Sequence, residues 1–196
     1  MTRPRPLIVF AHGAGASSSS AWMQRYREGL SRFAAVVTFD YPYMAAGRRS
    51  PDPLPRLLEA HREALTQARA RHRGPVFLAG KSMGGRVGCH LSSSEPVDGL
   101  VCLGYPLRGQ SGKLRDQVLL DLTAPVLFVQ GSRDALCPLD ELAKVRHRMN
   151  APNELFVVEG GNHSLELGKR ELARRGITQQ ELDASVCARI EKWLRR

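Results

Sequence analysis

Six short apolar runs punctuate the chain, at Leu7–Ala11, Ala35–Phe39, 76–79, Gly99–Leu103, 126–130 and 155–158. Each is rich in Val, Ile, Leu or Phe, and each is continuous rather than alternating. A strand covered on one side only would alternate apolar and polar positions, so continuous runs predict strands buried on both faces. Between the runs the apolar period lengthens. Leu54, Leu57, Leu58, His61 and Leu65 keep a helical spacing, as do Leu182, Val186, Ile190 and Trp193. Helices are predicted over about 21–32, 54–73, 83–93, 139–149 and 178–194, the last opened by a capping box of Thr178 with Glu181. Regular alternation of strand and helix argues for a mostly parallel sheet with helices on both faces. No repeat, low-complexity segment or linker interrupts it, and 196 residues suffice for one domain, expected over residues 1–196.

The polar residues gather where the apolar runs end. His12-Gly13-Ala14-Gly15-Ala16 follows the first run and Asp40-Tyr41-Pro42-Tyr43 the second. Ser82 follows the third, Gly104-Tyr105-Pro106 the fourth, Gly131-Ser132-Arg133-Asp134 the fifth and Gly160-Gly161-Asn162-His163 the sixth. Parallel sheets bind their ligands at the carboxyl ends of the strands, so these clusters predict one site. Within it, Gly80-Lys81-Ser82-Met83-Gly84 is a G-x-S-x-G run between a strand and a helix. A sharp turn there exposes the serine, and glycine two residues away on each side avoids a Cβ clash.

A serine hydroxyl needs a base to take its proton, and that base needs a third group to orient it. His163, freed to turn by the preceding Gly160-Gly161, is the candidate base. His61, His72, His90 and His147 fall in predicted helices or at their ends and read as packing or surface residues, whereas His12 reads as an anchor of its own loop. Asp134 is the candidate acid and Asp40 its rival. The other reading of Ser82 is an ordinary helix-capping serine. Lys81 is read as structural. Tyr43 and Tyr105 are candidate substrate contacts, although Tyr105 and Arg108 equally fit a loop that only caps the sheet.

Composition narrows the picture. Hydrophobic residues make up 42% and charged residues 24%, an ordinary globular balance. No apolar run approaches the ~20 residues that span a bilayer, so no membrane association is expected. Arg3 and Arg5 ahead of Leu7–Ala11 imitate a leader, but the apolar stretch is short and His12 interrupts it, so it is read as the first strand. Cys89, Cys102, Cys137 and Cys187 are scattered without metal-ligand spacing, which points to free thiols in a reducing cytoplasm and to no metal. The net charge of +10 comes from basic segments at 62–73, 144–148, Lys169–Arg175 and 192–196. Such a surplus attracts anions nonspecifically. No aromatic-interleaved motif accompanies it, so no specific nucleic-acid function is expected.

The elbow at Gly80–Gly84, the turn Gly131–Asp134, the turn Gly161–Ser164 and the order Ser82, Asp134, His163 together resemble the α/β-hydrolases from Leu7 to Leu194. Segments 39–44, 80–86 and 104–107 look most like a compact branch of small bacterial serine hydrolases, testis-expressed relatives and the regulatory subunit of the NSL complex. The resemblance implies a six-stranded, mostly parallel sheet of order 2-1-3-4-5-6. In that order strand two lies away from strand six, which favours Asp134 over Asp40. It also implies an oxyanion hole from the N–H groups of Ala14 and Met83. The chain departs from the family pattern by lacking the leading antiparallel strands, and 104–123 is too short for a cap domain. The expected activity is cleavage of small acyl esters or thioesters through a covalent Ser82 intermediate, with no cofactor. The alternative is a non-catalytic interaction scaffold that has kept the fold.

Overall fold

The structure, a computed structural model, describes residues 4–109 and 112–196. Residues 1–3 and Gln110 and Ser111, the latter two inside the segment 104–123, lie outside the described residues. Six strands, β1 (Leu7–Ala11), β2 (Ala35–Phe39), β3 (Val76–Lys81), β4 (Gly99–Leu103), β5 (Val126–Gly131) and β6 (Asn153–Val158), form one parallel sheet of order β2-β1-β3-β4-β5-β6. This is the α/β-hydrolase order expected from the sequence. The central strands are buried but for the partly covered Lys81 that ends β3, and the edge strands β2 and β6 are half-exposed.

The helices are α1 (Ala21–Leu30), α2 (Pro42–Ala45), α3 (Leu54–Ala70), α4 (Met83–Leu91), α5 (Gln117–Leu120), α6 (Leu139–Arg148), α7 (Lys169–Arg175) and α8 (Gln179–Leu194). The strand residues divide by parity. Ile8, Phe10, Phe77 and Val101 face Met23, Tyr26 and Leu30 of α1 and Val186 and Ile190 of α8. Leu7, Val9, Leu78 and Leu100 face Leu65 of α3, Cys89 and Leu91 of α4 and Leu142 and Val145 of α6. Both parities therefore need apolar side chains, which is why the runs do not alternate.

Five helices lie where the periodicity puts them, each ending within a few residues of expectation. The other three, α2, α5 and α7, are four, four and seven residues long, about one or two turns. The capping box forms as read: Thr178 Oγ1 accepts from the Glu181 N–H at 3.2 Å, and the Thr178 N–H donates to Glu181 Oε2 at 2.7 Å. Between β4 and β5 the only helix among the described residues is the single turn α5, and no cap is built there. Among the described residues, no helix is long and apolar enough to cross a membrane.

Candidate active site

β3 pairs with β1 on one side and β4 on the other, with Ala11 opposite Gly80 and Leu103 opposite Lys81. Ser82 follows at once, its N–H donating to the Leu103 carbonyl at 2.9 Å. Its backbone takes φ +49° before α4 begins, a conformation costing a non-glycine residue about 1–3 kcal/mol. The flanking glycines permit the turn. A Cβ on Gly80 would strike the backbone of Gly84 and Gly85, and one on Gly84 would lie 2.5 Å and 2.6 Å from the carbonyl oxygens of Ala11 and His12. Strand, turn and helix thus touch backbone to backbone.

Ser82 Oγ lies 2.8 Å from His163 Nε2, and His163 Nδ1 lies 2.7 Å from Asp134 Oδ2. The structure thereby brings together three residues from the ends of β3, β5 and β6. Asp134 is buried and also accepts from the Leu136 N–H at 2.9 Å through Oδ1 and from Gln130 Nε2 at 2.5 Å through Oδ2. With Asp134 as acceptor, the imidazole proton resides on Nδ1, leaving Nε2 free to accept from the serine hydroxyl. Gln130 was not singled out in the sequence. Its signal was available: a glutamine closing the apolar run Val126–Val129 is buried and must find partners, and its Oε1 also accepts from the Tyr105 N–H at 3.0 Å.

The loop of His163 is held from two directions. Lys81 Nζ donates to the His163 carbonyl, and Trp22 Nε1 donates to the neighbouring Ser164 carbonyl at 2.8 Å. The ammonium also stands 5.4 Å over the Trp22 ring, within cation–π range. Asn162 Oδ1 accepts from the N–H groups of Ser164 at 2.8 Å and Glu166 at 3.0 Å, which closes the turn. Lys81 is therefore structural, pointing at the backbone of His163 and not at Ser82. Burial pushes its ammonium down to about 8, against the opposing pull of Asp134 and Glu166. Because that lies below the ordinary 10.5, between those values the unfolded chain retains a proton that the folded chain has released. Lys81 therefore makes folding more favourable as the pH climbs from about 8 toward 10. In Lys81→Met this contribution is expected to vanish, as read by urea denaturation of both proteins at about pH 7 and about pH 10.

His12 behaves as the anchor expected. It is fully buried, Nδ1 donates to the Gly13 carbonyl at 2.6 Å and Nε2 accepts from the Tyr41 N–H at 3.1 Å. Burial lowers its pKa, so the 3.7 Å approach to Asp40 Oδ1 is not an ion pair. Asp40 Oδ1 accepts from the Ser18 N–H at 2.7 Å and serves the loop after β1, on the β2 side of the sheet. That loop lies beside Ser82, since a Cβ on Gly13 would sit 3.6 Å from Ser82 Cβ. The N–H groups of Ala14 and Met83 donate to no partner among the described residues.

Two expectations are corrected. Tyr105 is fully buried, its ring edge-on to Phe128 and its hydroxyl donating to the Arg115 carbonyl at 3.0 Å, so it has no face for substrate. Tyr43 is likewise buried, and its hydroxyl donates to the Ala14 carbonyl at 3.0 Å. It supports the loop beside Ser82 instead of touching a ligand. Arg108 is bonded to Glu141 at the surface. A groove of about 1560 Å³ opens between Pro6, Phe33, Pro125 and Trp193. It lies at the amino ends of the strands, opposite Ser82, and so is not where these groups meet. Among the described residues no three His, Cys, Asp or Glu side chains are arranged to hold a metal ion.

The fold has solved counterparts. An α/β serine hydrolase homologue from Coxiella burnetii superposes with a TM-score of 0.72 at 17% identity, over 93% of this chain and 85% of that one. A dienelactone hydrolase from Anabaena variabilis gives 0.71 at 18% identity, over 97% and 85%. A serine hydrolase without lid from Xanthomonas campestris gives 0.67 at 16% identity, over 84% and 75%. At such identities the likeness is one of fold. The sequence itself matches the α/β-hydrolase domain over residues 4–195, from the strand that carries the Ala14 loop to the end of α8, and the chain belongs to that family.

Proposed function

We propose that the protein is a serine hydrolase acting on small acyl esters or thioesters. One observation carries this reading: the unbroken line of hydrogen bonds from Ser82 Oγ through His163 to Asp134, on a serine held at positive φ. Ser82 Oγ attacks the acyl carbon while His163 Nε2 takes its proton. Asp134 stabilises the imidazolium that results. The N–H groups of Ala14 and Met83 meet the oxyanion, and each such donor supports the transition state by about 2.7–4 kcal/mol. Collapse of the tetrahedral adduct expels the alcohol or thiol, which leaves with the proton from His163. Water, deprotonated by the same Nε2, then frees the acid and returns the proton to Ser82 Oγ.

Short acyl groups fit a site over which the described residues build no cap. The free, buried cysteines suit a reducing cytoplasm. Segments 39–44, 80–86 and 104–107 support kinship with the compact branch named above. The intact line of bonds favours catalysis over a scaffold role. A fluorophosphonate probe tests the reading directly: a covalent adduct on Ser82 of the folded protein is expected, and its absence would overturn the mechanism.

A further inference from the structure

The Asp134 side chain is fully buried, so its charge has to be met by donors inside the protein. Each carboxylate oxygen offers two lone-pair directions. On Oδ2 one is taken by His163 Nδ1 at 2.7 Å and the other by Gln130 Nε2 at 2.5 Å, while Oδ1 takes the Leu136 N–H at 2.9 Å. Leu136 belongs to the same turn as Asp134. Gln130 instead reaches the carboxylate from within β5, where it is fully buried.

Gln130 is itself held. Its Oε1 accepts from the Tyr105 N–H at 3.0 Å, on the loop that leaves β4, which sets the amide with its NH₂ toward Asp134. The strand ends around it are in backbone contact. A Cβ on Gly131 would strike the carbonyl oxygens of Gly161 and Asn162, in the turn before His163. One on Gly104 would lie 2.5 Å from the His163 carbonyl oxygen and 3.5 Å from its Nδ1. The ends of β4, β5 and β6 are thus seated on one another, and a single amide side chain ties the backbone after β4 to the carboxylate after β5.

We propose that Gln130 is a positioning residue for the reaction: it fixes the Asp134 carboxylate so that Oδ2 stays on His163 Nδ1. The inference rests on the serine hydrolase reading and deepens it. The last torsion of an aspartate side chain is broad and loosely two-fold. With the Leu136 N–H alone, the carboxylate can swing about that torsion and give up His163. A second donor on Oδ2, tied to the Tyr105 backbone, removes that freedom. The imidazole then keeps the tautomer that accepts from Ser82. Gln130 is fully buried and has no face for substrate, so its contribution belongs to turnover and not to binding.

Gln130→Met keeps the length of the side chain and removes both polar atoms. In folded protein, checked by circular dichroism, kcat for a nitrophenyl ester is expected to fall about ten- to hundredfold, the scale of one hydrogen bond to a charged group, with KM unchanged. Should the loss of the Tyr105 acceptor prevent folding, Gln130→Glu restores that acceptor. Protonated, the glutamate donates to Oδ2 as glutamine does; ionised, it sets a second negative charge against Asp134. The kcat of Gln130→Glu relative to wild type is therefore expected to decline from about pH 6 to about pH 9. The other titratable groups about the carboxylate, His163, Lys81 at the end of β3 and Cys137 in its own loop, are common to both proteins, so the ratio reads the new carboxyl. Wild-type kcat in Gln130→Met, a change confined to KM, or a Gln130→Glu ratio indifferent to pH overturns the role. Failure of the serine mechanism looks different, because then the wild type cleaves no ester either. In that event the proton on His163 Nδ1 reads the pairing without turnover: a low-field proton resonance is expected in the wild type, lost in Asp134→Asn and displaced in Gln130→Met. A resonance absent from the wild type, or unmoved in Gln130→Met, would overturn the role independently.

Discussion

Ser82→Ala is expected to fold normally and to lose turnover by about 10⁶-fold, the loss that follows removal of a nucleophilic serine. The size follows from how the residues act together. His163 Nε2 has one partner in line, Ser82 Oγ at 2.8 Å, and without it the base has nothing to activate. What remains is the oxyanion donors and substrate binding, which alone leave about 10³–10⁴-fold over water. The methyl of alanine fits wherever the serine Cβ does, and Ser82 offers no side-chain cap to α4, so little structure is lost. A nitrophenyl ester assay with circular dichroism on the same samples reads both quantities. Turnover near wild type in folded protein would place the nucleophile elsewhere.

Asp134→Asn is expected to lower kcat by about 10⁴-fold, as the same change does in a serine protease. The carboxylate receives three donors: the Leu136 N–H on Oδ1, and both Gln130 Nε2 and His163 Nδ1 on Oδ2. Gln130 cannot turn over to help, because its Oε1 is bonded to the Tyr105 N–H. An asparagine, in either orientation, therefore sets its own NH₂ against a donor. Facing His163, it favours the tautomer protonated on Nε2, which cannot accept from Ser82. Asp40→Asn should cost far less, since Asp40 supports the Ser18 N–H on the far side of β1. Assays of both variants on one ester give the ranking, and its reversal in folded proteins would remove Asp134 from the role of acid.

Most of this architecture is legible because burial on both faces leaves a plain mark in the sequence. The six apolar runs are the six strands, and the residues just past them include the three that meet at the site. Boundaries are less visible. β6 begins at Asn153 and not at Leu155, because Asn153 and Glu154 pair with Val126 and Leu127 through their backbones, whatever their side chains. The helices α2, α5 and α7 are too short to display a period. Side-chain direction after a strand end is the harder failure. Tyr105 follows β4 and could turn up toward a ligand or down into the core; contact with Phe128 and with the Arg115 carbonyl decides it. Nor does spacing foretell the clamp on His163, whose members Trp22 and Lys81 are separated from their acceptors by 142 and 82 residues.

The +49° φ of Ser82 sets a limit on selection for stability in this chain. Every non-glycine side chain at position 82 keeps the strain of the elbow, and only glycine, which adopts positive φ without penalty, would release it. Ser82→Gly should therefore melt at a higher temperature than Ser82→Ala, and its gain in stability would come at the loss of the Ser82 hydroxyl. Screens that reward thermal endurance alone would drift toward that substitution, and a thermostable form of this protein has to be sought while its activity is being measured.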